Sequence, residues 1–165
     1  MVLWLAACTK ITDVRTDYSL SGQSGNGLVA MSLTHTLQHA TIVYQNKDGG
    51  SIGGGVFATG IFHNPFDWEN PKGRLVVMEL PAGKYEMYRW QAFHGNITYT
   101  SKDFSMPFVV EEGRVNYIGN FFINIDESAG KSRFERYDMS KRDIPLLLQR
   151  YKNITESQIM KSVVQ

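Results

Sequence analysis

Val115-Asn116-Tyr117-Ile118-Gly119-Asn120-Phe121-Phe122-Ile123-Asn124-Ile125-Asp126 is the stretch that decides the fold. Val115, Tyr117, Phe121, Ile123 and Ile125 take odd positions, and Asn116, Asn120, Asn124 and Asp126, with Arg114 just ahead, take even ones. Successive side chains of a strand point to opposite faces, so this alternation predicts an antiparallel strand with one apolar and one polar face. Residues 104–110 and the turn Glu111-Glu112-Gly113 precede it, which makes a hairpin the natural reading.

The same grammar runs through the preceding ninety residues. Val29, Met31, Leu33 and Leu37 share one parity, with His35 among them, and Ala30, Ser32, Thr34 and Thr36 hold the other, so one face can be buried while the other meets water. Residues 40–45 read as a second strand closed by the Asp48-Gly49 turn, residues 54–62 as a third and 75–80 as a fourth. Pro81-Ala82-Gly83 then turns the chain into 84–93, which is rich in Tyr85, Tyr88, Trp90 and Phe93, side chains that suit a half-buried pleated surface. After Asp126 the pattern changes. Ser140 with Asp143, and Thr155 with Gln158, resemble capping boxes, and the apolar spacing behind each predicts a short helix. The expected fold is mainly β, an antiparallel β-sandwich of about seven strands with two short C-terminal α-helices. The expected boundaries are a sandwich over 28–127 and a helical extension over 128–165.

A chain of 165 residues can bury one core, and 17 Lys+Arg against 16 Asp+Glu leave no one-signed field for nucleic acid. The mixed run of Lys131, Arg133, Arg136, Lys141 and Arg142, broken by Glu135, Asp138 and Asp143, reads as a solvated linker or helix face. No apolar run after the first residues reaches the roughly 18 residues of a membrane-spanning helix.

Chemistry-bearing patterns are sparse. The glycines between Gly49 and Gly55 lack the Lys-Ser/Thr ending and the following helix of a phosphate loop, and read as a hairpin connection. His35 and His39 would lie about 13 Å apart on one strand face, too far for a shared metal. Gly49-Gly50-Ser51-Ile52-Gly53 spells Gly-x-Ser-x-Gly, but a strand and not a helix is read after it, so it does not mark a hydrolase elbow. No catalytic residue, metal or cofactor is therefore assigned. The segment 63–73 carries two prolines and no period, so it is a surface loop, where binding groups concentrate. His63, Phe66, Asp67, Trp68 and Glu69 form the candidate binding loop, with Trp68 as a contact residue. The competing reading folds Trp68 down onto the edge of the sandwich.

The single cysteine, Cys8, excludes an intramolecular disulfide and a cysteine-rich zinc site. Leu5-Ala6-Ala7-Cys8 resembles the lipobox of bacterial lipoproteins, which implies acyl chains on Cys8 and cleavage just before it. Residues 1–7 are then the remnant of an export signal, and residues 8–27, ending in a Gly/Ser-rich stretch, a flexible tether. Thr9 in place of aspartate implies, by the same resemblance, the outer membrane facing the periplasm. Leu80-Pro81-Ala82-Gly83-Lys84-Tyr85 resembles the turn of transthyretin-like and carboxypeptidase-regulatory-like sandwiches, in which the glycine turns the chain and the tyrosine points inward.

These readings combine into a lipid-anchored, non-catalytic envelope protein. Its sandwich would contact another envelope protein or a cell-wall glycan. A small envelope enzyme with its site in 63–73 is the alternative, and a soluble domain using 1–7 as a strand is a weaker third.

Overall fold

The computed structural model describes residues 13–48, 54–59, 66–126 and 128–163. It is mainly β, with two facing sheets. In the first, β1 (Asn26–His35) is central, paired antiparallel to β5 (Lys72–Pro81) and parallel to β9 (Val115–Asp126). Beyond β5 lies the two-residue β4 (Trp68–Glu69). The far side of β9 is shared by β10 (Lys131–Tyr137), antiparallel, and β11 (Ile159–Lys161), parallel. In the second sheet, β3 (Gly54–Ala58), β2 (His39–Asn46) and β6 (Gly83–His94) are consecutive. β7 (Ile97–Thr100) and β8 (Met106–Val110) divide the remaining side of β6.

Between the sheets lies the main core, with Val29, Met31 and Leu33 of β1 against Ile42, Tyr44, Met87 and Trp90. Tyr44, Phe57, Tyr85 and Phe108 form an aromatic cluster, with ring centroids 4.7 to 6.2 Å apart. Tyr85 points inward, and its hydroxyl donates to the Pro81 carbonyl at 2.9 Å, tying both ends of the Pro81-Ala82-Gly83 turn.

A second core lies on the opposite face of the first sheet. There α1 (Ser140–Arg150) and the segment from Val14 to Leu20 cover Leu28, Ala30, Leu75, Val77 and Tyr117. This layer changes several expectations. The Ser32/Thr34 face of β1 does not meet water, because α1 lies over it; every residue from Gly27 to His35 is buried. Residues 13–20 are not a free tether: the Val14 N–H donates to the Val77 carbonyl at 2.9 Å, and Tyr18 Oη donates to Glu79 at 2.8 Å. They form a strap on the sheet.

The β8–β9 hairpin is not formed. β8 belongs to the second sheet and β9 to the first, so the Glu111-Glu112-Gly113 turn carries the chain across the core. The odd-even faces of β9 also switch midway. Its register against β1 slips between Ala30 and Ser32, at Gly119, which has φ +104°. A bulge flips the pleat. Val115 and Tyr117 therefore face the helix, while Ile118, Phe121 and Ile123 face the other sheet.

The C-terminal region holds one α-helix rather than two. Thr155 opens only a 3-10 turn (Glu156–Gln158), its backbone N–H bonded to Gln158 Oε1 at 2.8 Å, and the chain then enters β11. The basic run 131–137 is strand β10, not linker. Arg136 there is half-buried and donates to the Ile118 and Ser162 carbonyls at 2.7 and 2.5 Å.

Candidate functional site

The loop singled out in the sequence is held at every described position. His63 and Cys8 lie outside the described residues. Phe66 packs edge-on against His35 at 5.7 Å, with Lys72 Nζ 5.7 Å from its centroid. Asp67 accepts the Leu75 N–H at 2.7 Å and the Arg150 guanidinium at 2.5 Å, so one carboxylate ties the loop to β5 and to the end of α1. Trp68 and Glu69 pair with Gly73 and Lys72 as β4, leaving Glu69 exposed. Trp68 is half-buried, and the guanidinium carbon of Arg142 lies 3.8 Å from its ring centroid, a close cation–π stack.

Arg142 leads to a buried polar cluster that the sequence pattern concealed. Its Nε donates to Asp143 Oδ1 at 2.7 Å and its Nη2 to Ser32 Oγ at 2.8 Å. Asp143 Oδ2 accepts from Tyr117 Oη and Ser32 Oγ, each at 2.6 Å. Asn120 Oδ1 lies 2.8 Å from Ser32 Oγ and accepts from Thr34 at 3.2 Å. Asp143, Ser32 and Tyr117 are each 0% exposed. The carboxylate thus has three donors. Burial, reinforced by the bond to Asp143, holds the Tyr117 hydroxyl far above the usual tyrosine range, so it stays a donor.

Asp143 therefore does not cap the helix. The Ser140 N–H is bonded instead by Asp138 Oδ1 at 2.8 Å, while Asp143 turns inward. A serine beside a carboxylate suggests a nucleophile. Here the serine proton serves Asp143, no imidazole among the described residues joins the pair, and both groups are sealed. What this arrangement does is fasten α1 to β1 and β9.

A second charged group lies where the strap meets the sheet. Asp13 pairs with Arg74 beside the Arg150–Asp67 pair, around a cavity of about 340 Å³ that Tyr151 also lines. Burial raises the Asp13 pKa despite the attraction of Arg74 and Arg150. The two ion pairs clamp strap, loop and helix to β5.

His35 is fully buried. Its Nε2 lies 2.6 Å from Thr59 Oγ1, which also accepts the Ala40 N–H at 3.1 Å. Burial lowers its pKa to about 4, so at neutral pH the ring is uncharged. His39 stacks on Phe93 at 4.3 Å on the other sheet. Among the described residues, no three His, Cys, Asp or Glu side chains come together as a metal-binding group.

No family model matches the chain. No curated protein matches it. Among solved structures, the crystal structure of a leucine-rich repeat protein from Bacteroides thetaiotaomicron VPI-5482 is similar with a TM-score of 0.36 and 12% identity, over 60% of this chain and 14% of that chain. A likeness so low carries no argument about fold or function.

Proposed function

We propose that this chain is a lipid-anchored, non-catalytic module of the bacterial envelope, in the outer membrane facing the periplasm, whose sandwich contacts a protein or a glycan. One observation carries the reading: Leu5-Ala6-Ala7 stands directly before the only cysteine, and polar sequence follows. Two or more acyl chains at about 0.8 kcal/mol per buried methylene anchor stably, whereas one anchors only marginally. The docked strap is in keeping with this. Asp13 lies five residues after Cys8, a span of at most about 18 Å of extended chain, so acylation would hold the sandwich close to the bilayer. The polar groups of α1 and the loop that could have served chemistry already hold the fold, which weighs against an enzyme centred on Asp67 and Trp68.

Fractionation of bacteria expressing the protein from its own locus tests the anchor. The wild-type protein is expected in the membrane fraction, resistant to high salt and extracted by detergent. Cys8→Ser should move it to the soluble fraction with its folded body intact. Equal membrane association of the two would refute the proposal.

A further inference from the structure

The strap begins beside a cavity of about 340 Å³, at the lower end of the size range of small-ligand sites. Arg74 and Tyr151, 7% and 1% exposed, form its floor, Arg150, Asp13 and Asp67 its walls, and the exposed Arg15 and Thr16 its mouth. The two ion pairs leave valences open. A guanidinium has five N–H donors and a carboxylate about four acceptor positions. Among the described residues, Arg74 places a donor only on Asp13, and Arg150 places donors on Asp67, the Leu75 carbonyl and the Tyr151 hydroxyl. Asp13 receives Arg74 and, at 3.4 Å, the Val77 N–H. Burial holds the Asp13 carboxyl above its usual range even beside Arg74 and Arg150, so its charge is under-compensated. The Tyr151 hydroxyl, pushed up to about 12 by burial and by Asp13, stays a donor among the same charges.

The lining selects a ligand class. A lone phosphate meets Asp13 and Asp67, and a lone amine meets Arg74 and Arg150, so neither gains from the whole cavity. A ligand carrying both signs does. The planar fork of Arg suits phosphate oxygens, and a primary ammonium offers three donors to carboxylates. Position selects among such zwitterions. Asp13 follows Cys8 by five residues, at most about 18 Å of chain, so acyl chains on Cys8 would hold the cavity within reach of lipid headgroups.

We infer that this cavity binds the phosphoethanolamine headgroup of a lipid in the membrane that carries the protein, with the phosphate on Arg74 and Arg150 and the ammonium on Asp13 and Asp67. The inference rests on the proposed anchor for the bilayer and on the cavity for the headgroup.

Titration of the full chain carrying Cys8→Ser with glycerophosphoethanolamine, followed by amide NMR, tests the cavity without acyl chains. Saturable shifts centred on Arg15, Thr16 and Tyr151 are expected. Glycerophosphocholine, whose quaternary nitrogen has no N–H, should bind at least about fivefold more weakly. Thr16→Trp, which fills the cavity from its exposed mouth, should weaken binding by at least about tenfold, whereas Lys131→Ala on β10 should change it by less than about twofold. Should Thr16→Trp fail to fold, Arg150→Gln must weaken binding in its place. Absence of saturable shifts up to about 20 mM, equal binding of the two headgroups, or binding that survives both variants would overturn the inference. Flotation with vesicles tests the source. The same chain should favour mixed phosphatidylcholine and phosphatidylethanolamine vesicles over phosphatidylcholine alone by at least about threefold, and no preference would overturn the lipid as the ligand. Acylation of Cys8 is measured separately, so an acylated chain blind to the headgroup refutes the cavity alone, and a headgroup-binding chain that is never acylated refutes the anchor alone.

Discussion

Asp143 is the residue on which the outer layer turns. Its carboxylate takes hydrogen bonds from Ser32, Tyr117 and Arg142, which belong to β1, β9 and α1. Removing the charge leaves Tyr117 buried without its acceptor and Arg142 without its partner, although Arg142 is 29% exposed and regains some water. Breaking a buried pair from one side costs about 3 kcal/mol. Denaturant unfolding of Asp143→Ala should show that loss, and a loss below about 0.5 kcal/mol would show that the cluster does not hold the helix. His35 supplies a pH dependence with a definite sign. Its folded pKa, about 4, lies below the ordinary value of 6.5, so between these limits the unfolded chain binds more protons. Stability is expected to fall, on the order of 3 kcal/mol in all, as pH drops from about 6.5 to 4. Asp13, with its raised pKa, acts in the opposite sense. Unfolding free energies measured across this range should show a flatter slope in His35→Gln than in the wild type.

At the scale of elements, the strands were legible because their alternation is local. β6 and the turn before it follow the expected pattern, down to the inward Tyr85. Partners were less legible. A Glu-Glu-Gly turn between two apolar runs signals a reversal, and nothing local says whether the returning strand joins the same sheet or the facing one; β8 and β9 take the second course. The polar faces of β1 and β9 misled for a related reason. Ser32, Thr34 and Asn120 look solvent-facing until a helix about a hundred residues after β1 supplies Arg142 and Asp143 to meet them. Polarity marks a hydrogen-bonded surface, and water is only one of its possible partners. The loop at Trp68 was found by its composition, but its stack on Arg142 joins residues far apart in the chain. Trp68→Ala should therefore destabilise the protein by about 1 to 2 kcal/mol through the lost cation–π contact and ring burial. Thermal unfolding would show this as a lowered midpoint, and an unchanged midpoint would mean the stack contributes nothing.

At the scale of the molecule, the architecture is two sheets plus one outer layer. The strap and α1 cover one face of the first sheet, held by the Asp13–Arg74 and Arg150–Asp67 pairs and by the Asp143 cluster. The chain nearest Cys8 is thus part of the folded body from Asp13 onward, so an acyl anchor there would set the position of the whole sandwich at the bilayer. Everything in the functional account hangs on the chemistry of one sulfur. The most direct measurement is the mass of the N-terminal peptide of the protein purified from a Gram-negative bacterium expressing it from its own locus. The account predicts a peptide that begins at Cys8 and carries acyl chains on its sulfur and its amino group; a peptide running through Cys8 with a free thiol would contradict it.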